Sequence, residues 1–242
     1  MPFKSDPQLQ GLWLMEEVSG NRADSSGNGN TLTDTNTVAS STTHQEGARS
    51  ADFEADASES LQITDAAQVG LDITGNITVL AWILLESRGH MQIAGKWTAT
   101  GNLRNYMLSL YDNSDTTYRL SGQLSPDGTA STRALGATNL TTGSWWHCAM
   151  VYDGSNITVY VNGVQDTNGI NNPIAFTGAL ADTASPFTLG THGGAYFFDG
   201  LMDEVAVFSR ALSAAEILNA YTYGIRLPIP AMQYSYRRRR TN

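Results

Sequence analysis

Glu54-Ala55-Asp56-Ala57-Ser58-Glu59 places three carboxylates at a spacing that could serve glycosidic-bond hydrolysis. Retaining hydrolysis needs two carboxylates about 5–5.5 Å apart, flanking the scissile bond. An extended strand would send Glu54 and Asp56 to one face, because side chains alternate along a strand. The intervening residues argue against a strand. They are alanine, alanine and serine, with no large apolar side chain to seat the run in a core. Ala51–Glu54 and Ser60–Ile63 on either side read as short strands, so the run between them is expected to be their turn. A turn does not aim three carboxylates at one face, and no catalytic residue is expected here. Glu16-Glu17 and Asp203-Glu204 have no better context.

The histidines carry no chemistry by spacing. His44, His90, His147 and His192 are scattered, with neither a zinc-ligand pattern nor a Ser-His-Asp arrangement. His147 sits in the strand-like run Trp145-Trp146-His147-Cys148-Ala149 and is expected to pack. Four aromatics at loops or strand ends could stack on the apolar face of a sugar: Trp97, Tyr111, Tyr118 and Tyr196. Gly193-Gly194-Ala195-Tyr196 reads as a flexible, aromatic-tipped loop of the kind that lines a binding rim. Aromatics also cover sheet faces, so this set is a ligand-binding expectation held against a packing role.

The elements that must position these groups are short strands. Asn76–Leu85 is rich in β-branched and aromatic residues and reads as a buried central strand. Further strands fit at Leu12–Met15, His90–Trp97, Tyr106–Tyr111, Tyr118–Leu124, Ser131–Leu135, Trp145–Tyr152, Asn156–Val161, Phe187–Gly190 and Phe198–Phe208. Asp153-Gly154 and Asn162-Gly163 are turn dipeptides that favour positive φ. Turn signals roughly every 8–12 residues mark an all-β sandwich. One helix is expected after Ser213, with Glu216 completing a capping box.

The 242 residues fit one large all-β domain. Only 15% are charged, which with 41% hydrophobic content predicts a folded core. The net charge is −9; without the four arginines at Arg237–Arg240 the balance falls to −13. An acidic body repels nucleic acid and suits divalent cations or polar neutral ligands. The single cysteine, Cys148, excludes an intrachain disulfide and reads as a small buried hydrophobe. The chain as given has no apolar run of signal-peptide or membrane-spanning length, so no export signal and no membrane span are expected.

Six segments in a fixed order carry a family resemblance. They are GLWLMEE (Gly11–Glu17), DSSGNGN (Asp24–Asn30), ITVLAWI (Ile77–Ile83), SWWHCAMVYDG (Ser144–Gly154), ITVYVNG (Ile157–Gly163) and FDGLMDEVAVFSRALSAAEI (Phe198–Ile217). Together they resemble the laminin-G-like branch of the concanavalin A-like lectin/glucanase superfamily. The resemblance implies a jelly-roll β-sandwich of two antiparallel sheets over residues 11–224, with one short C-terminal helix. It also implies a structural calcium ion held by Asp24, Asn28 and Asp203, less securely by Asn30 and Glu204. Against that, Asp24 could simply cap the loop through backbone amides. The carboxylate run at Glu54–Glu59 matches a laminarinase-like pattern on the same superfold, but falls in a turn of the laminin-G-like alignment.

Residues 1–10 read as a lead-in and residues 225–242 as an extended basic tail. Pro228 and Pro230 keep that tail extended. Tyr234, Tyr236, Arg237, Arg238, Arg239 and Arg240 could dock on a protein partner by strand addition and charge. The expected function is a non-catalytic recognition and assembly module on a larger particle, such as a phage virion decoration, fibre or tail component. A secreted or cell-surface lectin is the alternative, and a glycoside hydrolase is the least supported reading. Monomer and homo-oligomer are both compatible with the sequence.

Overall fold

The computed structural model describes residues 3–112, 117–167 and 171–226. In chain order the strands are β1 (Leu9–Trp13), β2 (Thr33–Thr35), β3 (Ala39–Ser41), β4 (Ser50–Phe53), β5 (Ser60–Ile63), β6 (Ile77–Leu85), β7 (Met91–Thr98) and β8 (Leu103–Asp112). They continue with β9 (Tyr118–Leu124), β10 (Thr132–Leu135), β11 (Trp145–Tyr152), β12 (Asn156–Val161), β13 (Val164–Gln165), β14 (Ile174–Ala175), β15 (Phe187–Leu189) and β16 (Gly200–Phe208). The helix α1 spans Ala214–Tyr223.

Among the described residues these strands form two antiparallel sheets, a jelly-roll sandwich. The nine-stranded sheet runs β13-β12-β11-β6-β16-β4-β3, with β1 also on β16 and β14 on β12. The seven-stranded sheet runs β10-β9-β8-β7-β15-β5-β2. β6 sits inside the first sheet, flanked by β11 and β16, and is buried along nearly its whole length. Its β-branched and aromatic content fits that position. Asn162-Gly163 is the two-residue hairpin loop between β12 and β13. Both residues have positive φ, 52° and 79°, the conformation a type I′ turn demands.

One core lies between the sheets. It includes Phe53, Ile83, Leu108, Leu120, Met150, Cys148 and Val207, and Trp13 stacks on Phe187 with ring centroids 5.0 Å apart. Burial pushes the Cys148 thiol well up, so it stays protonated as a packing group. A second apolar cluster covers the outer face of the nine-stranded sheet. There Leu12, Leu80, Ala149, Ala206 and Phe208 meet Phe3, Ile217, Ala220 and Ile225. His147 belongs to this layer: its ring meets Trp82 at 5.2 Å and Tyr221 of α1 at 5.9 Å.

The helix starts as its sequence dictates. Ser213 accepts a hydrogen bond from the Glu216 amide, and the Glu216 carboxylate accepts one from the Ser213 amide. Hydrogen bonds from Arg210 and from Ser213 hold the Glu216 carboxyl down at about 2, despite partial burial. A folded value below the unfolded one means stability that is present above pH about 4.5 and drains away as pH falls towards 2. Glu216→Gln is expected to cost about 1 kcal/mol at neutral pH and to flatten this acid limb. Urea melts from pH 7 to pH 2 check it; parallel curves for both proteins would contradict it.

The body extends past the helix. Ile225, assigned by sequence to the tail, is 1% exposed and belongs to the outer apolar cluster. Arg226 pairs with Glu16 at 2.5 Å and with Glu204, and donates to the Leu14 carbonyl at 2.9 Å. Nothing periodic follows Gly224 in the sequence, so pattern alone ends the body two residues early. Tyr234, Tyr236 and Arg237–Arg240 lie outside the described residues.

Candidate functional site

The DSSGNGN loop is a closed hydrogen-bonded unit. Asp24 Oδ1 accepts from the amides of Leu12 and Ser26, and Oδ2 from the amide of Asn30 and the hydroxyl of Ser26. Asn28 donates to the carbonyls of Leu9 and Gln10. Asn30 is buried, bonds to Gln10 and Val69, and accepts from the Trp13 indole at 2.8 Å. The loop thus pins β1 and orients the core tryptophan. Asp203 lies elsewhere, inside β16. Its Oδ2 accepts from the amides of Gln45 and Glu46, at 3.0 and 2.8 Å. Burial raises Asp203 to about 7 against the pull of those amides, and Glu204 adds to the rise.

Glu54–Glu59 is the turn between β4 and β5. Glu59 is buried and folds back to accept from the Glu54 amide at 2.9 Å. Glu54 instead approaches Asp52 and Glu86, with carboxylate oxygens within 4.8 Å of one another. Partial desolvation first raises Asp52, Glu54 and Glu86 above the usual carboxylate range; repulsion adds to it, from Asp199 at Asp52 and chiefly from Asp52 at Glu54 and Glu86.

The outer face of the seven-stranded sheet differs from both. No helix covers it among the described residues, whereas α1 covers the opposite side of the sandwich. Strand alternation sends Tyr106, Leu108 and Leu110 of β8 into the core, and Met107, Ser109 and Tyr111 outward. The registers then fix rows across the sheet. Gln92 pairs with Ser109, Ser109 with Ser121, and Ser121 with Leu135. On either side lie the row Gly95–Met107–Gln123–Arg133 and the pair Tyr111–Arg119.

The three polar members of this row, Gln92, Ser109 and Ser121, are buried and only partly satisfied: Gln92 Nε2 donates to Thr188. Gln92, Ser109 and Ser121 are each 0% exposed. The hydroxyls of both serines and Oε1 of Gln92 have no described protein partner, and neither side-chain atom of Asn105 on the same face has one. The roof over them explains the burial. Arg133 and Tyr111 start four residues apart along β9's register, about 13 Å. The guanidinium nevertheless lies 3.7 Å from the Tyr111 ring centroid, so both side chains reach across the serine row between them. Arg133 Nη2 also donates to Gln123 Oε1 at 3.2 Å.

An aromatic rim adjoins this floor. His90 meets Tyr111 at 5.1 Å and Tyr196 at 4.6 Å, and His192 stacks on Tyr196 at 4.4 Å with ring planes 14° apart. Tyr196 is 48% exposed. Burial, with smaller contributions from His90 and Arg104, lowers His192 to about 4, so its ring is neutral at neutral pH. The Tyr196 carbonyl accepts from the Gln92 amide at 3.1 Å, which ties the rim to the polar row.

Of the four aromatics singled out in the sequence, the structure joins Tyr111 and Tyr196 through His90. Trp97 lies elsewhere on β7, 5% exposed, with the Arg104 guanidinium 6.0 Å from its ring. Tyr118 pairs with Asp112, one residue out of phase with the Tyr111–Arg119 pair, so it alternates to the other side of β9. Sequence reasoning missed Gln92, Ser109, Ser121 and Arg133. For Ser109 and Ser121 the signal is the alternation of polar with apolar residues in Tyr106–Tyr111 and Tyr118–Leu124, which any solvated strand also shows; Gln92 and Arg133 lie outside those runs.

The Laminin_G_3 model of the concanavalin A-like lectin/glucanases superfamily matches residues 55–218, more than half of the chain. The chain belongs to this superfamily. Among solved structures of similar fold, domain 4 of a GH43 extracellular arabinanase from Geobacillus stearothermophilus, in complex with arabinotriose, aligns with a TM-score of 0.60 at 22% identity. That alignment covers 88% of this chain and 97% of the domain. The binding domain of Paraclostridial Mosquitocidal Protein 1 aligns at 0.67 with 13% identity, covering 91% of this chain and 52% of that one. Trypanosoma rangeli sialidase, in complex with a difluoro-KDN, aligns at 0.60 with 13% identity, covering 89% and 32%. Identities this low show a shared sandwich fold. No curated protein matches the sequence significantly.

Proposed function

We propose that this domain is a non-catalytic glycan-binding module that works through the outer face of the seven-stranded sheet. The observation that carries the reading is the row of buried, unpartnered polar atoms beneath the Arg133–Tyr111 roof. A buried hydroxyl without a partner costs about 1–3 kcal/mol. Sugar hydroxyls donate and accept, as Gln92 Oε1 and the two serines require, while the Tyr111–His90–Tyr196 rim offers rings to a pyranose face. The arabinotriose bound to the arabinanase domain adds that a protein of this fold holds a sugar elsewhere.

In this reading the module is displayed on a larger particle, as a virion decoration, fibre or tail component, and the segment after Arg226 docks it on a protein partner. A secreted or surface lectin would use the same face. Calcium enters as the structural ion implied by the resemblance. At Asp24 it would compete with the amides of Leu12, Ser26 and Asn30.

A glycan array run in calcium and again in chelator tests the proposal. Binding to a defined sugar class supports it, and a blank array in both conditions sinks it. Equal binding in both conditions removes calcium from the recognition step.

A further inference from the structure

The charge balance of the whole chain favours neutral ligands, but the outer face of the seven-stranded sheet departs from it. Lys96, Arg210 and Arg226 each face carboxylates: Asp65 and Asp72, Asp6 and Glu216, and Glu16 and Glu204 respectively. Arg133 does not. Among the described residues it forms no ion pair; its neighbours are the Tyr111 ring and the neutral amide of Gln123. Its Nε is buried without a partner. A guanidinium presents its donors as a planar fork that matches a carboxylate with two parallel hydrogen bonds. In a chain of net charge −9, internal carboxylates are plentiful, yet none of the described ones is spent here.

We infer that the glycan taken by this face carries a carboxylate, and that Arg133 reads it. The inference rests on the glycan reading above and names the ligand class for the same face. Arg133 spans the row of Ser109 and Ser121, so the same movement that uncovers the orphaned hydroxyls frees its Nε–Nη edge. The sugar ring then meets the floor and rim while its acid group meets the arginine. His192, stacked on Tyr196 beside it and held neutral by burial, adds no competing charge.

The test is an array of matched pairs, each acidic glycan beside its neutral parent: sialylated with asialo oligosaccharides, and oligogalacturonates with their methyl esters. The full chain is expected to bind the acidic member of a pair about tenfold or more tightly, a difference of about 1.4 kcal/mol. Arg133→Gln is expected to bring that ratio to about one, and Arg133→Lys to leave it intermediate, because lysine keeps the charge and loses the fork. Unchanged melting temperatures show that the variants fold. Acidic and neutral members binding alike, or a ratio unmoved by Arg133→Gln, would overturn the inference and leave the glycan reading standing. Binding to neither class would overturn both.

Discussion

Replacing Ser109 and Ser121 together by alanine is expected to stabilise the domain while weakening its hold on glycan. Both hydroxyls are buried and neither has a described protein partner. Removing an unsatisfied buried polar group relieves a desolvation penalty, here about 1 kcal/mol per site after the small void is counted. For a domain of this size that corresponds to a melting temperature higher by about 4–8 °C for the pair. Glycan affinity is expected to fall about tenfold or more, the loss of two ligand hydrogen bonds. The two effects have opposite signs, which a purely structural role for the serines would not produce. Thermal melts and titration of an array-positive glycan measure both; a lower melting temperature with unchanged affinity would contradict the account of this face.

The largest expected loss of stability is at Arg226. Glu204 is fully buried and Asp203 beside it is too, and among the described residues Arg226 is the cation near both. Arg226→Met leaves two buried carboxylates without a counter-charge, at a cost of about 3–5 kcal/mol. The melting temperature is then expected to drop by about 10 °C or more. The pH dependence has a definite sign. Burial already raises both carboxyls above their unfolded values, most of all Asp203, to about 7. With raised folded values the native state holds the extra protons, so stability falls as pH rises from about 4 through that value. The deficit of Arg226→Met should therefore be greatest at pH 8 and shrink towards pH 5. A melting temperature like wild type at pH 8 would show that Arg226 does not hold the end of the body in place.

The parts of this architecture that were legible are those governed by local chemistry. Asn162-Gly163 announces a type I′ hairpin because both positions need positive φ. Ser213 and Glu216 announce a helix start because their side chains satisfy each other's amides. The run of Ile77–Leu85 announces a central strand because only a doubly buried strand tolerates such apolar continuity. The candidate site was legible in fragments. Tyr111 and Tyr196 stand out as aromatics near turns, but their junction through His90 depends on how the loop after β15 returns over β7. Ser109 and Ser121 are 12 residues apart, and only the β8–β9 register places them side by side. Nothing in the sequence sets Arg133 apart from the other arginines. That no described carboxylate pairs with it is a property of three-dimensional packing, invisible in composition. The same holds for Arg226, which follows the last periodic element and pairs with residues from the first strand region and from β16.

The measurement that bears most directly on the central claim is an NMR titration of the isotopically labelled domain with an array-positive glycan. The largest shift changes are expected on Gln92, Ser109, Tyr111, Ser121, Arg133 and Tyr196. Changes confined to the Asp24–Asn30 loop, or to the helix-covered face of the nine-stranded sheet, would contradict it.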